Sequence, residues 1–348
     1  MPTPSNRIDA RTGAILAPYL ALALTWGMSF LFIKIGLEGL VPGQVVLARM
    51  ALGTITLAVV VAIRRQRLPR DPAVWGHLAV VGLLLCVLPF LLFSWAELRI
   101  PSGLASVLNA TTPLMTILVS SVALRTERLG LARALGLVVG FAGVIIVFLP
   151  WGGDAAGVLL GGDLLAKGAC LAAALCYGMA FTWLRRFVAP HGLPAIPTAF
   201  VQVGLGTLIL LPLTPWLAAA PFTPTPRVVG SMLGLGVLGT GLAYIWNTTV
   251  VNHWGAVRAS TVTYLVPLVG VVAGAVVLGE RVTASSVVGG LAIITGVVTG
   301  NDGWRPLLWV LRRACGASRA PADTLAFDDR GPGAGGAQEQ PSTVPVED

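Results

Sequence analysis

Two ionisable side chains lie where the surrounding sequence offers little water. Arg49 sits about a quarter of the way into an apolar run, and Glu97 closes the end of another. Charges in such surroundings are expensive to hold and mark pathways, relays or counter-ions. Arg49 has the chemistry to pair with an anionic group such as a solute carboxylate; structurally, it could snorkel outward or pair with Glu97 or Glu38. Glu97 is the best-placed carboxylate for a proton relay, or else it simply faces water. Lys167 is close enough to the start of its run to snorkel. Pro113 and Pro267 fall near the middle of apolar runs. A mid-helix proline removes one hydrogen bond and frees the carbonyl four residues back, here Asn109 and Thr263. Inside a bilayer this is tolerated where protein or cavity water satisfies the freed group. The expectation is a kink with a hinge role in gating, set against a plain packing bend.

Other chemistries lack their parts. His77, His191 and His253 all lie near the ends of apolar runs, with no H-E-x-x-H pair and no serine–histidine constellation. There is no Walker-type loop, so ATP is not the direct driver of any process here. Cys86, Cys170 and Cys176 are embedded in apolar sequence and Cys315 lies near the C-terminus, with no metal or disulfide spacing. Asn109-Ala110-Thr111 and Asn247-Thr248-Thr249 match a glycosylation pattern but fall inside apolar runs, which discards them. No enzyme activity, metal or cofactor is expected.

The elements that must position these residues follow from composition. The chain is 55% hydrophobic and 11% charged, with mean hydropathy +0.84, against about 25% charged for a soluble domain. The apolar runs last about 20 residues, enough for a helix to cross a bilayer core of roughly 30 Å, and they lack the alternation of barrel strands. An all-α polytopic membrane protein of ten transmembrane helices is expected, near 13–36, 44–63, 75–96, 102–123, 131–150, 163–185, 194–214, 228–250, 258–279 and 284–302. The first run reads as a retained helix, not a cleaved signal peptide. The net charge of +8 comes from basic residues in short caps between runs, which sets membrane orientation and gives no reason to invoke nucleic acid. With the N-terminus inside, seventeen Lys and Arg fall on the cytoplasmic side and four, Lys34, Arg99, Arg227 and Arg281, on the other. Both termini are therefore expected in the cytoplasm. Residues 1–12 form a cytoplasmic segment, and 303–348, rich in Pro, Gly, Ala and Asp, a largely disordered cytoplasmic tail.

The runs repeat. Trp26-Gly27-Met28-Ser29-Phe30 matches Tyr177-Gly178-Met179-Ala180-Phe181 at an offset of 151, as does Trp95 with Trp246. Ala105-Ser106 and Pro113-Leu114 match Ala259-Ser260 and Pro267-Leu268 at 154, and Gly136 and Gly143 match Gly289 and Gly296 at 153. Residues 13–150 and 163–302 are thus expected to be two copies of one five-helix unit. Five is odd, so the second copy inserts upside down, an inverted repeat of the kind many transporters use. Small-residue pairs four apart, Gly136/Gly140, Gly230/Gly234, Gly270/Gly274 and Gly296/Gly300, are expected to let helix backbones approach closely.

In order and spacing, these residues resemble the drug/metabolite transporter superfamily, specifically its EamA-like ten-helix branch. The resemblance spans roughly 13–302. It rests on Gly239-Thr240-Gly241-Leu242-Ala243-Tyr244-Ile245-Trp246-Asn247, Arg258-Ala259-Ser260, Pro267-Leu268, Gly279-Glu280-Arg281 and Gly289. The first half repeats this with Trp95, Ala105-Ser106, Pro113-Leu114, Thr126-Glu127-Arg128 and Gly136, preceded by Trp26-Gly27 and Arg49. It implies a secondary transporter of small organic solutes, often an exporter of amino acids or related metabolites, acting by alternating access in the cytoplasmic membrane. It also implies a central cavity between the halves, lined by the first, third, fourth, sixth, eighth and ninth helices. On those helices lie Trp26, Asn109, Thr112, Tyr177, Tyr244, Trp246, Asn247 and Tyr264. Aromatic walls with a few amides and hydroxyls suit a small amphipathic solute; the alternative is interfacial anchoring or helix-to-helix bonding. The halves differ where Trp95-Ala96-Glu97 stands opposite Trp246-Asn247. The first helix has no carboxylate, unlike the small multidrug exchangers. Glu127 and Glu280 are read as acids at the start of the helix that follows each, favourable with its dipole. The partners are a small solute and the bilayer, in a monomer or homodimer. An intramembrane enzyme and a non-transporting scaffold or sensor are the competing classes.

Overall fold

The computed structural model describes residues 4–123, 130–149, 162–255, 259–301 and 304. Every regular element among them is helical. We number the apolar rods α1 (Pro4–Gly36), α2 (Pro42–Ile63), α3 (Pro72–Ala96), α4 (Ser102–Ala123), α5 (Leu131–Phe148), α6 (Leu164–His191), α7 (Ala195–Leu217), α8 (Pro226–Trp254), α9 (Val262–Leu278) and α10 (Ala284–Gly300). Eight of these, α1 to α8, contain stretches long and apolar enough to cross a membrane; α9 and α10 are shorter apolar helices. The Glu127-Arg128 pair, Arg258 and the C-terminal tail lie outside the described residues.

Local sequence sets the ends of the rods. Proline occupies the first turn of α2, α3 and α8, where its missing N–H has no intrahelical partner to lose. Asp71 caps α3 through the Ala73 amide at 2.9 Å, and Thr225 and Thr283 cap α8 and α10 at 3.2 Å each. Gly279 ends α9 with φ +64°, a conformation that favours glycine.

The exterior is apolar and part of the interior is polar. Leu131, Val138, Leu165, Leu208 and Val276 are exposed, whereas Arg49, Glu97, Gln202 and Thr240 are buried. This distribution suits a lipid solvent, in which polar groups are sequestered inside the bundle.

Helices from the two ends of the chain interleave. The most extensive contact joins α5 to α10; others join α1 to α9, α4 to α6, and α2 to both α7 and α8. A side chain at Gly136 would strike Gly300, and one at Gly296 would strike the Gly140 backbone, so α5 and α10 meet backbone to backbone. Gly230 does not follow this rule: no atom lies within 4 Å of where its side chain would stand, because it is exposed on the outer surface of α8.

Breaks in the rods differ from the proline expectation. In α4 the helix stops at Asn109 and restarts at Thr112, so Pro113 begins a new helical segment instead of bending a continuous one. Pro267 does lie inside an unbroken helix. Wide π-helical turns occupy Leu83–Val87 in α3 and Gly234–Leu242 in α8. They begin 151 positions apart, the offset that relates Trp95 to Trp246. A third π turn, Leu184–Val188, lies in α6.

Candidate functional site

The close approach of α2 to α8 builds the centre of the site. Gly236 and Gly241 abut Leu52 and Thr56, and Gly53 abuts Thr240. With the backbones this near, Arg49 on α2 reaches the wide turn of α8. Its Nε donates to Thr240 Oγ1 at 3.0 Å, and the Thr240 hydroxyl donates in turn to the Leu235 carbonyl at 3.3 Å. The guanidinium carbon lies 3.6 Å from the ring centroid of Phe90 on α3, a cation–π stack that covers one face of the ion. Arg49 is only 8% exposed.

Around it stand Tyr177 from α6, Tyr244 from α8 and Cys86 from α3, all close enough to interact electrostatically with the guanidinium. Gln202 on α7 donates its amide N–H to the Tyr244 oxygen at 2.8 Å. Tyr177 packs against two apolar cores at once, one drawn from α1, α3–α6, α9 and α10 and one from α2, α3 and α7. Five helices, α2, α3, α6, α7 and α8, therefore converge on one buried cation among hydroxyls and aromatic rings.

A second polar locus lies where α3 turns into α4. Glu97 is completely buried, and among the described residues neither carboxylate oxygen has a hydrogen-bond partner. Ser94 Oγ, one turn earlier, is likewise sealed without a partner. Lys34 at the end of α1 donates to the backbone carbonyl of Glu97 and to that of Ile100, the latter at 3.0 Å. Glu280, just past α9, accepts from the amides of Ser102 and Gly103 at 2.8 and 3.0 Å and from Ser102 Oγ at 3.0 Å. The α3–α4 connection is thus held from two sides. At the opposite end, Tyr19 and Thr261 share a hydrogen bond of 2.8 Å that ties α1 to the start of α9.

The sequence profile of the EamA-like transporter family matches residues 11–149 and again 162–299. The chain belongs to that family. It is 28% identical, over 80% of its length and 90% of the relative's, to a Streptantibioticus cattleyicolor protein named "Probable terminal-alkyne amino-acid exporter". It is 25% identical to the uncharacterized transporter YdfC of Bacillus subtilis (strain 168), over 82% of this chain and 90% of that one. It is 26% identical to the uncharacterized inner membrane transporter YedA of Escherichia coli (strain K12), over 76% and 82%. A solved crystal structure 19% identical in sequence shares the fold, with TM-score 0.56 over 85% of this chain and 99% of that chain. The protein is a multi-pass membrane transporter by family, as its apolar helices require.

Arg49, Tyr177 and Tyr244 come together. Trp26 and Trp246 pack against one shared core, and Trp26 also touches the core that holds Tyr264 and is flanked by Tyr177. Asn109 and Thr112 face each other across the α4 break at 3.5 Å. Asn247 makes no side-chain hydrogen bond among the described residues. Tyr264 is 5% exposed and belongs to the packed core.

Three expectations need correction. Arg49 pairs with neither suggested acid: Glu38 instead meets Arg227 at 3.4 Å, and Glu97 makes no ion pair among the described residues. Glu97 does not face water. Glu280 serves the start of α4 instead of the helix that follows it, because the chain reverses at Gly279 and turns the carboxylate back toward Ser102. Lys167, near the start of α6, donates to the Val147 carbonyl near the end of α5 at 3.1 Å. Sequence reasoning missed Gln202, Thr240, Phe90 and Lys34. The glycine-rich run Gly234 to Gly241 was the available signal for Thr240, since it marks where a neighbouring helix comes close.

Proposed function

We propose that this chain is a secondary transporter that moves small organic solutes, amino acids or related metabolites, outward across the cytoplasmic membrane by alternating access. The observation that carries the reading is the convergence of Arg49, Tyr177, Gln202, Thr240 and Tyr244. It joins helices from both halves of the chain around polar groups that a merely structural bundle would not retain. The name borne by the Streptantibioticus relative, an amino-acid exporter, favours the solute class and the direction.

The architecture behind this reading is two inverted five-helix units, 13–150 and 163–302, with both termini in the cytoplasm. The shared offset of the two π turns and the twofold family match support the duplication. π turns recur at functional sites because they perturb the backbone ladder. On this orientation the Lys34 and Glu280 contacts close the outer side. Trp26, Asn109, Thr112, Trp246, Asn247 and Tyr264 are the further candidates for the solute path, with Pro113 and Pro267 at its gating breaks. Glu97, sealed beneath the outer closure, is held as the neutral acid, because an unpaired buried carboxylate would neutralise. It takes up or releases a proton when that closure opens.

The test is transport by the purified protein in proteoliposomes against a panel of amino acids and small metabolites. Saturable movement of at least one compound supports the reading, and movement of none would remove it.

A further inference from the structure

We infer that Arg49 is the anion-recognition residue of the solute site and that the transported solutes carry a carboxylate next to an apolar body. This rests on the transporter reading above and narrows it.

The donors around Arg49 outnumber the acceptors. Of the guanidinium nitrogens, Nε is committed to Thr240, while the two terminal nitrogens have no acceptor among the described residues. Tyr177 likewise makes no side-chain hydrogen bond there. Tyr244 accepts the Gln202 amide N–H and its hydroxyl also bonds the Cys86 thiol, so the spare donors belong to Arg49 and Tyr177. The sealed, partnerless polar atoms lie elsewhere, on Gln66, Ser94, Glu97 and Trp183. None of the sealed atoms belongs to Arg49 or Tyr177, so their unused donors keep some accessible surface for a ligand to reach.

Among the described residues no acid answers this cation. Glu97 is within electrostatic reach but forms no ion pair with it, and Glu38 is engaged by Arg227. A buried cation with unused N–H groups and the Tyr177 hydroxyl beside it is a site that selects an anion. The guanidinium fork matches a planar carboxylate in a bidentate pair. The Phe90 ring closes one face of the fork, so the carboxylate approaches edge-on in the guanidinium plane. The rings of Phe90, Tyr177 and Tyr244 then remain to take an apolar side chain. No carboxylate stands among these groups to hold an ammonium, so the anionic end of a zwitterion is the end recognised here.

The experiment compares transport in proteoliposomes of the twenty proteinogenic L-amino acids, each as the free acid and as the carboxamide. The full-length protein is used, with Arg49→Lys, Arg49→Gln and Tyr177→Phe variants. The expected result is that acids move and their carboxamides do not. Arg49→Gln should weaken apparent affinity for a transported acid roughly tenfold to a hundredfold, as expected for lost charge-assisted hydrogen bonds. Arg49→Lys should retain a preference for the acid with a raised KM, which a purely structural arginine would not produce. If Arg49→Gln does not fold, Tyr177→Phe still reads the site through a raised KM for acids alone. Carboxamides moving as well as acids, or an unchanged KM in all folded variants, would overturn the inference and leave the transporter reading standing. Movement of nothing in the panel would overturn both.

Discussion

The Glu280 carboxylate accepts the Ser102 backbone amide at 2.8 Å, across 178 positions of sequence. Its second oxygen takes the Gly103 amide and the Ser102 hydroxyl, both at 3.0 Å. An acid at a helix start satisfies otherwise unbonded amides and faces the positive end of the helix dipole. Here the acid comes from the end of α9 and the helix is α4. One side chain thereby couples the closure of the α3–α4 end to the position of α9.

Removing that cap has a defined cost. Glu280→Ala is expected to destabilise the folded protein by about 1–2 kcal/mol, read as a lower unfolding midpoint in detergent. Glu280→Gln should lose less, because the amide oxygen still accepts one bond. Equal stability of Glu280→Ala and the parent would show that the contact is dispensable.

Lys34 makes a separable prediction. Its ammonium bridges the Glu97 and Ile100 carbonyls, so Lys34→Met loosens the same end without touching Glu280. In a background with Ile100→Cys, where the parent Ile100 is 2% exposed, the substitution should raise labelling by a membrane-impermeant maleimide applied from outside, on the orientation proposed above. The native Cys86, Cys170 and Cys176 are buried, and replacing the fourth cysteine by Cys315→Ser keeps the readout specific. Unchanged labelling would exclude Lys34 from the closure.

Glu97 predicts a pH dependence. It lies one residue beyond the α3 span, and burial pushes its carboxyl well above the usual carboxylate range, with Lys34 pulling the other way. The proton is therefore bound more tightly in the folded than in the unfolded chain. This contribution to stability is fully present below the ordinary carboxylate pKa and is lost as pH rises through the raised folded value. Glu97→Gln, a neutral isostere, should be folded and should flatten this fall. If the acid also couples transport to protons, the same variant should transport equally with and without a pH gradient. A steeper pH dependence in Glu97→Gln would contradict the assignment.

Two glycine substitutions should behave oppositely. Gly296→Val drives a side chain into the Gly136–Gly140 backbone, where overpacking costs typically 1–3 kcal/mol. Gly230→Ala meets open space and should stabilise α8 by about 0.5–1 kcal/mol. Comparative thermal unfolding checks both.

The rods were legible because a bilayer demands long apolar helices, and Pro42, Pro72 and Pro226 announce where they begin. Arg49 and Glu97 were legible as charges out of place. Their partners were not. Thr240 and Gln202 look like ordinary polar residues of apolar helices, and only the glycine-mediated approach of α2 to α8 brings Thr240 to Arg49. Glu280 misled for a related reason: its neighbours in sequence suggested the next helix, while the reversal at Gly279 delivered it to α4. Proline position in sequence likewise does not distinguish a bend from a restart, as Pro113 and Pro267 show.

Solute counterflow in proteoliposomes tests secondary transport most directly. Vesicles loaded with an unlabelled amino acid at high concentration should take up the labelled compound transiently above equilibrium, without ATP, and Arg49→Gln should slow this sharply. Uptake indistinguishable from that of protein-free vesicles, across the whole amino acid and metabolite panel, would contradict alternating-access transport by this chain.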